Sequence, residues 1–79
     1  MELPVEQLTT TLKAGNLTAF EMLFRTYYQP LCNYAFTFVQ DRDEAEEIVQ
    51  STFVNIWEKR ENLSIHTGVK SYLYAMVRN

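Results

Sequence analysis

Lys70, Tyr74 and Arg78 recur at i, i+4 and i+8, with Ser71, Ala75 and Asn79 beside them at helical angles. On a helix this spacing makes one stripe of cation, aromatic ring and cation. Basic side chains on phosphates and an aromatic ring under a base are the means by which single strands are held, at about 1–3 kcal/mol per stacked base. An ordinary solvated face has the same composition, so spacing alone leaves both readings open. A second set lies earlier, where Glu47, Gln50, Ser51, Val54 and Glu58 fall on the outward faces of a helical segment. Val54 is the odd member, since nothing at that angle should bury it. It reads either as one tolerated exposed apolar residue or as a contact on a docking face for a partner helix, with Glu47 and Gln50 as polar guides.

Catalytic chemistry finds little support. The chain has one His, no Gly-rich phosphate loop, no Gly-x-Ser-x-Gly and no His-Glu-x-x-His, so no catalytic set is assigned and no cofactor is expected. Asp41, Asp43, Glu46 and Glu47 resemble a metal-ligand cluster only superficially. They stand at a helix start, where capping and the helix dipole account for them, and no His or Cys nearby completes a set. No metal site is assigned. Cys32 is the sole cysteine and sits among Leu31, Tyr34 and Ala35, which predicts a buried small apolar residue.

The formal charge of −3 argues, as a sum, against a nucleic-acid partner. Its distribution says more. Asp41, Asp43, Glu44, Glu46 and Glu47 crowd around Arg42, whereas Asn62 to Asn79 contains no acid and carries Lys70, Arg78 and His66. The result is an acidic middle and a mildly basic C-terminal end. The apolar runs are far shorter than the roughly 20 residues that span a bilayer, and no signal-peptide pattern opens the chain. No membrane insertion and a cytoplasmic location are expected.

Helices must position these residues, because two Gly and two Pro leave few places for tight turns. Leu3, Val5, Leu8 and Leu12 predict a short helix over 4–14, with Pro4 in its first turn and Gly15 as its stop. Asn16 or Thr18 then caps a longer segment through Phe20, Leu23, Phe24, Tyr27, Tyr28, Leu31, Tyr34, Ala35 and Phe38, with a kink or break expected near Tyr28 because of Pro30. Asp43 and Glu46 have the form of a capping box for a helix over 44–59. Its broad apolar face is Ala45, Ile48, Val49, Thr52, Phe53, Ile56 and Trp57. Periodicity lapses from Arg60 to His66, a loop. Thr67 can cap a last helix through Asn79, with Val69, Leu73, Met76 and Val77 facing the core. The expected fold is all-α, a compact bundle of about four helices in one domain over 1–79, with 47% apolar content and eleven aromatic residues (five Phe, five Tyr, one Trp) to fill it.

Three blocks resemble a known family. Asp43-Glu44-Ala45-Glu46-Glu47-Ile48-Val49-Gln50-Ser51-Thr52-Phe53-Val54-Asn55-Ile56-Trp57 resembles conserved region 2.2 of extracytoplasmic-function (ECF) sigma factors of the sigma-70 family. Ala19-Phe20-Glu21-x-Leu23-Phe24-x-x-Tyr27-Tyr28-x-Pro30-Leu31 is similar to that family's first conserved helix. Lys70-Ser71-Tyr72-Leu73-Tyr74-x-x-x-Arg78-Asn79 is similar to its region 2.3/2.4 helix. The blocks occur in the family's order and cover about residues 17–79.

The resemblance implies a non-enzymatic specificity subunit of RNA polymerase. It places Glu47, Gln50, Ser51 and Val54 on the surface that binds the β′ clamp coiled coil of the polymerase core. It also places Asn62, Ser64 and His66 near a pocket for a flipped base, and Lys70, Tyr74, Arg78 and Asn79 along the non-template strand of the promoter minus-ten element. An anti-sigma factor is a further implied partner. Ala75 stands where the family often has a basic residue, so fewer phosphate contacts and weak DNA binding by this domain alone are expected; Ser51 stands where a Glu is common, which leaves the clamp face one charge less, and Tyr72 stands where a Trp is frequent. Family members continue into a second helical domain with a helix-turn-helix, which suggests that the 79 residues are a fragment. A helical protein-interaction module without DNA binding is the competing reading.

Overall fold

The computed structural model describes residues 11–62 and 68–79. Residues 11–13 are helical and end in a turn at Gly15, whose positive φ of 78° suits a residue without Cβ. The backbone N–H of Gly15 donates to the Leu12 carbonyl at 2.9 Å, and Leu12 is buried. Gly15 therefore stops the first helix as its position suggested, while Leu3, Val5 and Leu8 lie outside the described residues.

Helix α1 spans Leu17–Val39, α2 spans Arg42–Glu58, a 3-10 turn covers Arg60–Asn62 and α3 spans Val69–Arg78. No strand occurs among the described residues. Asn16 is the α1 cap, its Oδ1 accepting from the Ala19 N–H at 3.0 Å. Along α1, Ala19, Leu23, Tyr27, Leu31 and Ala35 are buried at intervals of four, with Cys32 beside them. That stripe fixes which side of α1 meets the core. Phe20 packs on Trp57 and Phe53, Phe24 packs on Phe53, and Tyr28 meets Gln50, so α1 and α2 run antiparallel. From α2 the core takes Ala45, Val49, Thr52, Phe53 and Ile56, and from α3 it takes Val69, Leu73 and Val77. Thr52 satisfies its buried hydroxyl by donating to the Ile48 carbonyl at 2.9 Å.

Several expectations need correction. Helix α1 passes Pro30 without a break. Pro30 and Thr26 are both exposed, so the carbonyl that loses its donor faces water rather than an apolar interior. The N-cap of α2 is Asp41, not Asp43: Asp41 Oδ1 accepts from the Glu44 N–H at 2.9 Å, and the helix begins two residues before Glu44. The cap of α3 is Gly68, with extended backbone and no side-chain hydrogen bond, instead of Thr67, which lies outside the described residues. Arg60–Asn62 is a helical turn rather than irregular loop. Ile48, Trp57 and Met76 are half-buried at the margin of the core, and Phe38 is exposed.

Candidate protein and nucleic-acid interfaces

On α2, Glu47, Gln50, Ser51 and Val54 are all exposed, and Val54 keeps 56% of its surface in water. Val54 is not isolated. It borders an open apolar groove of about 380 Å³ whose other walls are Phe20 and Phe24 from α1 and Gln50, Phe53 and Trp57 from α2. The aromatic rings interlock, with Phe20 to Trp57 at 5.0 Å, Phe24 to Phe53 at 4.9 Å and Phe24 stacked on Tyr28 at 4.8 Å between centroids. Arg60 closes over the Trp57 ring at 4.2 Å and donates to the Trp57 carbonyl at 2.7 Å. A rigid aromatic floor loses little conformational entropy when a partner side chain enters it.

Gln50 Nε2 donates to the Tyr28 hydroxyl at 3.2 Å, which pins the amide at the rim of this groove. That hydrogen bond lowers the phenol pKa, but partial burial, together with Cys32 and Glu46, outweighs it and leaves Tyr28 above its ordinary value. Burial likewise pushes the Cys32 thiol up, against the hydrogen bond from Tyr28. Both groups are therefore neutral at pH 7. The α1 wall of the groove was missed in the sequence because Phe20 and Phe24 read there as core residues.

The basic stripe of α3 is also more than spacing showed. Lys70 and Arg78 are exposed and Tyr74 is half-buried. Lys70 Nζ lies 5.9 Å from the Tyr74 ring centre. Tyr74 packs on Tyr34 of α1 at 4.9 Å, and Tyr34 in turn meets Phe38 edge-on at 5.5 Å. Arg78 spans the two helices: its guanidinium carbon is 5.7 Å from the Phe38 ring centre and its Nη1 donates to the Tyr34 hydroxyl at 3.4 Å. Asn79 is exposed at the end of this helix, and Ala75 is exposed beside it. Tyr72 is half-buried and packs against the core. Asn62 is exposed in the 3-10 turn, apart from the stripe in sequence, while Ser64 and His66 lie outside the described residues.

No group of His, Cys, Asp and Glu side chains among the described residues is arranged to hold a metal ion. No described helix is long and apolar enough to cross a membrane.

The family model for sigma-70 region 2 matches residues 23–79. The chain belongs to the sigma-70 region 2 family. Two curated relatives extend the likeness toward the ECF type. The chain is 28% identical over 61 residues to the RNA polymerase sigma factor YlaC of Bacillus subtilis (strain 168), an overlap covering 77% of this chain and 35% of that protein. It is 23% identical over 60 residues to the ECF RNA polymerase sigma factor SigX of the same organism, covering 76% of this chain and 31% of that protein. The chain thus spans about a third of the length of these relatives. No solved structure gives a significant match. The region 2 match contains α2, α3 and all of α1 from Leu23 onward, so both surfaces fall largely inside the shared segment.

Proposed function

We propose that this region 2 domain serves transcription initiation by docking on the β′ clamp coiled coil of RNA polymerase core and engaging the melted minus-ten element of the promoter. The observation that carries the reading is the pairing of two unlike surfaces within one region 2 segment: an acidic helix face with an exposed Val54 beside an aromatic groove, and a cation–aromatic stripe on α3. Polymerase performs the chemistry. The domain contributes binding free energy and selection. An anti-sigma factor that covers the α2 face would compete with the clamp for the same groove.

On α2, Glu47 and Gln50 give directional polar contacts to a partner helix, and Val54 supplies apolar area at the groove mouth. Ser51 adds a small neutral contact where a longer acid would extend further. On α3, Lys70 and Arg78 neutralise phosphates, and Tyr74 with Asn79 lies along the strand. Asn62, Ser64 and His66 belong to the segment that would receive an extruded base, whose capture offsets the few kcal/mol of unstacking. With few cations available, strand binding depends on the polymerase holding the domain in place.

Pull-down with the isolated clamp coiled coil tests the first half: Glu47→Lys and Gln50→Ala are expected to weaken capture, and unchanged capture of both would sink the docking assignment. Fluorescence anisotropy of single-stranded minus-ten oligonucleotides with the domain on polymerase core tests the second. Affinity there should fall for Lys70→Ala and Arg78→Ala.

A further inference from the structure

We propose that α1 supplies part of the strand-binding surface, with Phe38 as a stacking residue for an unpaired base and Tyr34 as the positioning residue for Arg78. This rests on the strand-binding reading of α3 and extends it to residues outside that helix. Three observations converge. Phe38 keeps 39% of its surface in water although it is a large aromatic within four residues of the end of α1. The Arg78 guanidinium lies near its ring, and Lys70 lies near the ring of Tyr74, so cations stand near the two outer rings. Tyr34 touches both, at 4.9 Å to Tyr74 and 5.5 Å to Phe38, which makes three rings a continuous path between α3 and α1.

The chemistry of this path suits single-stranded nucleic acid. Every base has a π-face, and alternating rings and cations contact bases and phosphates without reading sequence. The Arg78–Tyr34 hydrogen bond of 3.4 Å is at the long limit for such a contact. It holds the guanidinium near the rings yet costs little to exchange for a phosphate oxygen, which binds a guanidinium more strongly because both partners are charged. No Asp or Glu lies in α3, and α1 carries only Glu21, about five turns from Phe38; the nearest acids in sequence, Asp41 and Asp43, belong to the start of α2, where Asp41 caps the Glu44 N–H. A protein partner would also be met by three rings, but Lys70 and Arg78 beside those rings favour a phosphate-bearing ligand.

The test uses the 79-residue chain on RNA polymerase core and a single-stranded oligonucleotide carrying 2-aminopurine, whose fluorescence is quenched on stacking. Phe38→Leu keeps apolar volume but removes the π-face. It is expected to weaken binding about fivefold or more, the lower end of one stacked base, and to relieve the quenching, whereas Phe38→Trp retains both. Tyr34→Phe keeps the ring and removes the hydroxyl; its effect should vanish in an Arg78→Ala background, because the hydroxyl acts through that guanidinium. If Lys70→Ala and Arg78→Ala weaken binding while Phe38→Leu and Tyr34→Phe leave it unchanged, the α1 assignment is overturned and the α3 reading stands. If none of the four weakens it, both fall. Binding of oligonucleotide unchanged by Phe38→Leu, with loss of a protein partner instead, also overturns the proposal.

Discussion

Tyr27 is 7% exposed, and its hydroxyl is buried without a hydrogen-bond partner among the described residues. A phenol removed from water without compensation costs free energy that the ring's burial must offset. Tyr27→Phe deletes the hydroxyl and leaves the ring, so it is expected to stabilise the fold by about 1 kcal/mol, seen as a rise in urea midpoint at unchanged slope. A lower midpoint would mean that the hydroxyl has a partner in solution. At this scale the sequence was informative about burial and poor about polar partners. Cys32 was readable as a buried apolar residue from its neighbours alone. The Gln50–Tyr28 and Arg78–Tyr34 hydrogen bonds were not, because they join residues 22 and 44 positions apart and depend on how helices cross.

The elements carry their own lesson in the two Asp-x-x-Glu patterns, Asp41–Glu44 and Asp43–Glu46, which differ by two residues. Both satisfy the rule for a helix start, and only the structure shows that the first acts. The apolar face of α2 was legible because its period does not depend on where the helix begins. Pro30 does not break α1: its local penalty is real, but the helix is held by five buried residues at four-residue steps. Two glycines make a contrasting pair of tests. Gly68 has φ −62° and open space where a Cβ would stand. Gly68→Ser should therefore raise stability by about 0.5–1 kcal/mol through a new cap and a less flexible unfolded chain. Gly15 has φ 78°, so Gly15→Ala should lower it by about 1 kcal/mol. Thermal melts followed by circular dichroism read both, and a loss at Gly68 would show that its neighbours need the smaller residue.

Across the whole molecule the charge is unevenly placed, with acids gathered at the start of α2 and cations but no acid on α3. Under the proposed strand binding, one phosphate contact each from Lys70 and Arg78 predicts a shallow salt dependence, with a log–log slope near −1.4 for a single strand at about 0.7 per phosphate. Lys70→Ala should bring it to about −0.7. A slope steeper than about −3 would require cations beyond this patch. The assembly of helices was readable from periodicity, and the family from three motif blocks. The groove between α1 and α2 and the three-ring path between α1 and α3 were not, since each is made by residues that look like core or surface on their own helix. Tertiary placement alone turns Phe24 into a groove wall and Phe38 into an exposed ring.

Only Gln40 and Asp41 separate α1 from α2. Gln40 sits in the left-handed region at φ 54°, its N–H donating to the Phe36 carbonyl at 2.9 Å, and Asp41 immediately caps the next helix. Such a joint has no slack. A torque applied to α2 by whatever grips its outer face must turn α1 with it rather than be absorbed in a flexible link. Phe38, two residues before the joint, is expected to follow such a turn with little lag, so a partner seated on α2 would be felt at the C-terminal end of α1.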